Sequence, residues 1–157
     1  NDLAVLGFDT ANAFGRKDEV LPIDYLVGAA AGWGGLPQSA AFYILDSVEK
    51  NDGQTPHAVS VKDVPVDAFW SITVYNADGY LEANDLGVNS YNNISARPNE
   101  DGSYTIHFGG CDDGNGDSRV NCIPITPDWN YAIRMYEPGQ EILDGSWTFP
   151  EIMPVND

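Results

Sequence analysis

The chain has 157 residues and 43% of them are hydrophobic, enough apolar material for one packed core and too much for a disordered chain. Seven Lys and Arg stand against 24 Asp and Glu, a formal charge of −17, which excludes nucleic acid and anionic membrane surfaces as partners because both are bound through positive potential. No apolar run reaches the roughly 18 residues of a membrane helix, so insertion into a bilayer is excluded as well.

The acidity leaves two readings open: a solvated acidic surface, or a protein that binds a cation or cationic ligand. With 16 Gly and 10 Pro punctuating short aromatic and β-branched runs, the composition predicts an all-β domain. Residues 1–20 show no period and are taken as an irregular arm, with a short helix around Thr10 to Phe14 as the alternative. Residues 21–157 are taken as one domain.

Leu21-Pro22-Ile23-Asp24 has the form of a helix start, with Asp24 as the cap, and Tyr25 to Ala31 continues it. Gly32-Trp33-Gly34-Gly35-Leu36-Pro37 ends that helix, which is expected to pack on a sheet or over its edge. Ala40 to Asp46 predicts a strand buried on both sides. Lys50 to Gln54 is a turn, and Ala58 to Lys62 a strand with Val59 and Val61 inward.

The stretch from Phe69 to Tyr75 predicts the central strand of an antiparallel sheet. Trp70, Ile72 and Val74 face one way, and Phe69, Ser71, Thr73 and Tyr75 the other. Asp78-Gly79 closes it with a turn, and Tyr80 to Asn93 is a long polar loop. Ile94 to Arg97 predicts a strand, and Pro98 to Gly102 a hairpin turn from which Tyr104 to Phe108 pairs back. Tyr131 to Tyr136 is the last clear strand, with Tyr131, Ile133 and Met135 inward and Ala132, Arg134 and Tyr136 opposite. Asp144-Gly145 is a turn, and Trp147 and Phe149 are anchors for the remaining chain.

Cys111 and Cys122 bracket one polar, hairpin-like loop and are expected to form a disulfide. A disulfide belongs to an oxidising compartment. Together with a chain that begins at Asn1 rather than Met, it leads to a secreted, periplasmic or envelope-associated protein from which an export signal has been removed.

Four ordered blocks carry a family resemblance. They are Val66-Asp67-Ala68-Phe69-Trp70-Ser71 with Tyr75 and Asp78-Gly79; Asp101 to Ile106; Pro124 with Trp129 to Tyr136; and Glu141 to Trp147. They resemble the DUF1214 family, the C-terminal modules of DUF1254/DUF1214 proteins, over roughly Leu21 to Val155. The resemblance implies a jelly-roll-like antiparallel β-sandwich, here with one or two short helices near the N-terminus. It implies no general function, and fold analogy carries no chemistry.

The less apolar strand faces supply the candidate ligand-binding residues: Tyr75, Thr105, Arg134 and Tyr136, beside Ser71, Thr73 and His107. Rings that stack and donors that hydrogen-bond suit a small polar molecule such as a sugar. A solvent-facing or helix-covered sheet surface is the competing reading. Arg134, isolated among apolar neighbours, is expected to pair with a carboxylate such as Asp67 or Asp144.

Ser71 and His107 are the candidates for a nucleophile and its base, but no Gly-x-Ser-x-Gly turn is present. His57 and His107, the only histidines, lack a spacing that would converge on a metal. Asp113, Asn115 and Asp117 have the alternating oxygens of a calcium loop, but position 124, where the bidentate Glu belongs, is a proline. No other cofactor is expected. Asn93-Ile94-Ser95 fits a glycosylation acceptor.

The favoured reading is a non-catalytic binding module whose partner is a small polar molecule or another protein chain. A hydrolase-like enzyme acting on a small organic or carbohydrate substrate is the alternative, and a structural or assembly module, including a homo-oligomer, is the third.

Overall fold

The computed structural model describes residues 13–31, 35–112 and 119–155. Among the described residues eight strands fall in chain order: β1 (Ala41–Asp46), β2 (His57–Val61), β3 (Trp70–Tyr75), β4 (Ser90–Asn92), β5 (Tyr104–Phe108), β6 (Cys122–Ile123), β7 (Asn130–Tyr136) and β8 (Met153–Pro154). Two short helices, α1 (Pro22–Ala31) and α2 (Gln140–Leu143), complete the elements among these residues.

The strands form two sheets, A in the order β1-β7-β3-β4 and B in the order β6-β5-β2-β8. All pairings are antiparallel except β5 with β6. The architecture is the all-β sandwich that the alternation and the resemblance lead to.

Alternation decides which side of each strand meets the core. Trp70, Ile72 and Val74 of β3 and Tyr131, Ile133 and Met135 of β7 are buried beneath sheet A. Val59 and Val61 of β2, Ile106 and Phe108 of β5 and Ile123 of β6 meet them from sheet B. Each such side chain contributes about 1.5–3 kcal/mol by leaving water.

Trp129, fully buried just before β7, stacks on Phe108 at 5.3 Å and meets Tyr131 at 5.9 Å, so one indole ties the two sheets together. Trp70 sits edge-on to Tyr104 and Phe149, with Ile142 and Ile152 closing the rim.

β3 lies inside its sheet, between β7 and β4, as its two well-defined faces require. Several expectations are corrected, some by strand order, which local pattern does not encode, and some by local hydrogen bonds. β1 is an edge strand, and Leu45 is 70% exposed rather than buried on both sides. Ile94 to Arg97 is a turn and no strand: Asn92 Oδ1 accepts from the Ile94 and Ser95 amides at 2.8 and 2.7 Å and curls the chain.

Tyr104 to Phe108 pairs with β2, not with the segment before it, and the Tyr80–Asn93 stretch ends in β4. The strands that flank the cysteine pair are no hairpin, because β6 returns parallel to β5. α1 begins at Pro22, one residue after Leu21, whose carbonyl accepts from Tyr25 at 2.9 Å. Asp24 therefore favours the helix dipole from the first turn instead of capping it.

α1 contributes no residue to the core cluster, and Ile23 and Leu26 face solvent. The second helix, α2, lies near the C-terminus. The helix considered at Thr10 to Phe14 falls largely outside the described residues, and Ala13-Phe14 is in a turn.

Candidate ligand-binding face

The outer side of sheet A is set by register. Tyr43, Arg134 and Ser71 lie side by side across β1, β7 and β3, with Asn92 of β4 next to Ser71. Thr73 stands between Ala132 and Ser90 in the next row, and Tyr75 faces Asn130. The side chains on this face are mostly hydroxyl-bearing or aromatic. Thr73 and Ser71 are each 9% exposed, so the strands are well covered and only the longer side chains stand out.

Arg134 is the one charged residue in these rows. Its Nη1 donates to Thr73 Oγ1 at 3.1 Å and its Nη2 to the Tyr75 hydroxyl at 2.7 Å, with the guanidinium carbon 6.0 Å from the Tyr75 ring centre. Thr73 passes the chain of hydrogen bonds to Ser90 at 3.1 Å, which donates to the Ile72 carbonyl at 2.9 Å. Tyr136 stacks on Phe69 with centroids 4.4 Å apart. Burial pushes the Tyr43 hydroxyl up, and repulsion from Tyr136 adds to this, while the Leu36 amide and Arg134 pull the other way.

The expected carboxylate partner of Arg134 is absent among the described residues. Asp144 is occupied with its own turn, accepting from the Ser146 amide at 2.9 Å, and Ser146 holds its carboxyl below the usual range. Asp67 lies exposed after Pro65, where its amide donates to the Glu137 carbonyl at 2.9 Å. Two of the Arg134 donors are engaged by neutral hydroxyls instead.

Of the sequence-derived candidates, Tyr75, Arg134, Tyr136 and Ser71 come together on this face. Thr105 does not, because β5 belongs to sheet B. There its hydroxyl meets Ser60 at 2.8 Å and accepts from Asn99 at 2.9 Å. His107 is on β5 too, so Ser71 and His107 stand on different sheets and form no nucleophile–base pair.

Burial, and secondarily Arg119, lowers the pKa of His107, whose Nδ1 is buried without a hydrogen-bond partner. The side chain of Asn93 accepts from the Trp70 amide at 3.4 Å. Cys111 and Cys122 form the disulfide, with S–S 2.02 Å and Cα atoms 5.5 Å apart. Asp113, Asn115 and Asp117 lie outside the described residues. Among the described residues no three His, Cys, Asp or Glu side chains gather as metal ligands.

The alternation did not flag Tyr43, because Phe42-Tyr43-Ile44 reads as a continuous apolar run. Ser90 was hidden in the polar stretch ahead of it. The one available signal was a tyrosine inside an otherwise aliphatic strand, which needs an outlet for its hydroxyl. A separate cleft of about 460 Å³ lies beside α1, lined by Phe14, Arg16, Glu19, Tyr25 and Pro37. Within it the Arg16 amide donates to Glu19 at 3.1 Å.

Comparison with known proteins places the chain, though not this face, in a family context. The family model described as "Protein of unknown function (DUF1214)" matches residues 41–140. The crystal structure of the VPA0106 protein from Vibrio parahaemolyticus superposes with a TM-score of 0.77 at 26% identity, covering 99% of this chain and 41% of that one. The chain thus spans about two fifths of that protein's length. An uncharacterised protein from Burkholderia cenocepacia matches at a TM-score of 0.47 and 19% identity, over 78% of this chain and 30% of its own. No curated protein matches.

Proposed function

Since the chain belongs to the DUF1214 family, whose description assigns no activity, its function has to be read from its own side chains, and we propose that it is a non-catalytic module that binds a small polar molecule carrying an anionic group. Arg134 on the outer face of sheet A is the anchor, with Tyr75, Tyr136 and Tyr43 around it.

One observation carries the reading: in a chain with 24 carboxylates, Arg134 is engaged by hydroxyls alone. A guanidinium has five N–H donors, and neutral partners leave its charge uncompensated. A ligand carboxylate can take the remaining donors in a bidentate pair. The tyrosines supply flat apolar area with polar tips, which suits a compact organic acid or an acidic sugar. The hydrolase reading ranks behind, because Ser71 has no histidine on its own sheet.

The test is thermal stability against neutral sugars and small mono- and dicarboxylates, with Arg134→Met and Thr105→Val in parallel. A carboxylate at about 100 times its Kd stabilises by about 2.7 kcal/mol, a rise of roughly 5–10 °C for a domain of this size. The rise is expected to vanish in Arg134→Met and persist in Thr105→Val. Equal shifts from neutral sugars, or none from any acid at millimolar concentration, would refute the anionic anchor.

The disulfide supports an exported, oxidising location, secreted, periplasmic or at the envelope, since cytosolic thiols are kept reduced. No helix among the described residues is long and apolar enough to cross a membrane.

A second reading, docking of another protein chain or a second copy, is favoured by α1 and the β1 edge. Ile23 is 76%, Leu26 69% and Leu45 70% exposed. Light scattering on the native protein and on Ile23→Asp with Leu26→Asp separates the two: a dimer that the double variant dissolves supports assembly, and a monomer in both cases removes the homo-oligomer.

A further inference from the structure

Where the loop after β1 meets the loop before β7, three polar atoms are buried without a hydrogen-bond partner: His57 Nε2, Trp129 Nε1 and Asn51 Oδ1. His57 and Trp129 are each 0% exposed. Buried polar groups left unpaired cost about 1–3 kcal/mol each, so three on residues that touch one another call for a partner.

Their surroundings fix what each atom offers. His57 Nδ1 lies 2.8 Å from the Thr55 carbonyl, which can only accept, so Nδ1 carries a proton, and in the tautomer this selects Nε2 is an acceptor. The indole Nε1–H of Trp129 is a donor and nothing else. Asn51 Nδ2 donates to the Trp129 main-chain carbonyl at 2.5 Å, which fixes the amide orientation and leaves Oδ1 as an acceptor. With His57 in that tautomer the set is one donor and two acceptors.

The three residues are held close by independent contacts. The rings of His57 and Trp129 meet edge-on at 5.9 Å. The Asp128 amide donates to the Asn51 carbonyl at 3.0 Å, and a Cβ on Gly53 would stand 2.4 Å from Pro127 N. No hydrogen bond joins Nε1 to Nε2.

We propose that a single ordered water occupies this junction, accepting from Trp129 Nε1–H and donating to His57 Nε2 and Asn51 Oδ1. A cation would face the indole N–H and an anion the two acceptors, whereas water supplies two protons and a lone pair. Buried waters make about three such bonds. His57 begins β2 of sheet B and Trp129 precedes β7 of sheet A, so this water is a hydrogen-bonded rivet between the sheets.

The experiment is NMR on the ¹⁵N-labelled native protein. The expected result is a cross-peak between bulk-exchanging water and Trp129 Nε1–H, with the sign of a long-lived bound molecule. Asn51→Ala is expected to weaken that peak at least twofold by removing one of three anchors. A native indole proton with no water cross-peak overturns the site, whether a direct N–H···N coupling to His57 replaces it or not. An undiminished peak in Asn51→Ala overturns the three-partner arrangement.

Discussion

Opening the Cys111–Cys122 bridge is expected to destabilise the domain by about 3 kcal/mol. The two cysteines are 11 residues apart. The entropy of closing a loop of that length in the unfolded chain amounts to about 2.8 kcal/mol at 25 °C. The folded state adds a local reason for the loss to be felt. β6 has only two residues, and beside the bridge it is tied to β5 by His107 N–H to the Asn121 carbonyl and Gly109 N–H to the Ile123 carbonyl, both 2.9 Å. A domain of this size loses about 2–4 °C per kcal/mol, so the midpoint should fall by roughly 6–12 °C. Calorimetry of the native protein with and without reductant measures this, and Cys111→Ala with Cys122→Ala checks that the thiols themselves play no part. A midpoint unchanged within about 2 °C in both would show that the bridge closes a loop already constrained in the unfolded chain.

Three further outcomes are expected. Burial, reinforced by the Asp46 carboxylate, pushes the Tyr131 hydroxyl up to about 12. The native state then keeps a proton that the unfolded chain releases from about pH 10, so this contribution is complete below pH 10 and falls by about 2–3 kcal/mol by pH 12. Tyr131→Phe should flatten that part of the alkaline limb in denaturant titrations. His107 is lowered by burial, so its contribution is present above about pH 6.5 and lost as pH falls through its folded value; an NMR titration midpoint above the ordinary histidine value would contradict the burial argument. Gly53→Ala, at φ +72° and against Pro127, should cost about 1–3 kcal/mol or more, whereas Gly79→Ala, at φ +82° with open space around it, should lose less in the same melt.

Local pattern was informative where one strand settles the matter by itself. The alternation Trp70-Ser71-Ile72-Thr73-Val74-Tyr75 separates a buried from an outer face because successive side chains point oppositely, whatever lies next door. The same argument put Arg134 and Tyr136 opposite Ile133 and Met135. It failed for Ala40 to Asp46, where an apolar run is compatible with either a central or an edge strand. It failed again for Ile94 to Arg97, where the Asn92 side chain competes with the ladder for the backbone amides.

The sequence by itself determined the class of fold, the inward and outward residues of β2, β3 and β7, and the cysteine pair. Only the tertiary structure decided which outer residues share a face. Thr105 and Arg134 have the same local signature, yet strand order sends one to sheet B and the other to sheet A. Tyr43 joins Arg134 through a register between positions far apart in the chain. Asn51 meets Trp129 across 78 residues. Side-chain direction is a property of the local backbone, whereas adjacency depends on how the whole set of strands buries its apolar faces at once. The candidate site is a matter of adjacency.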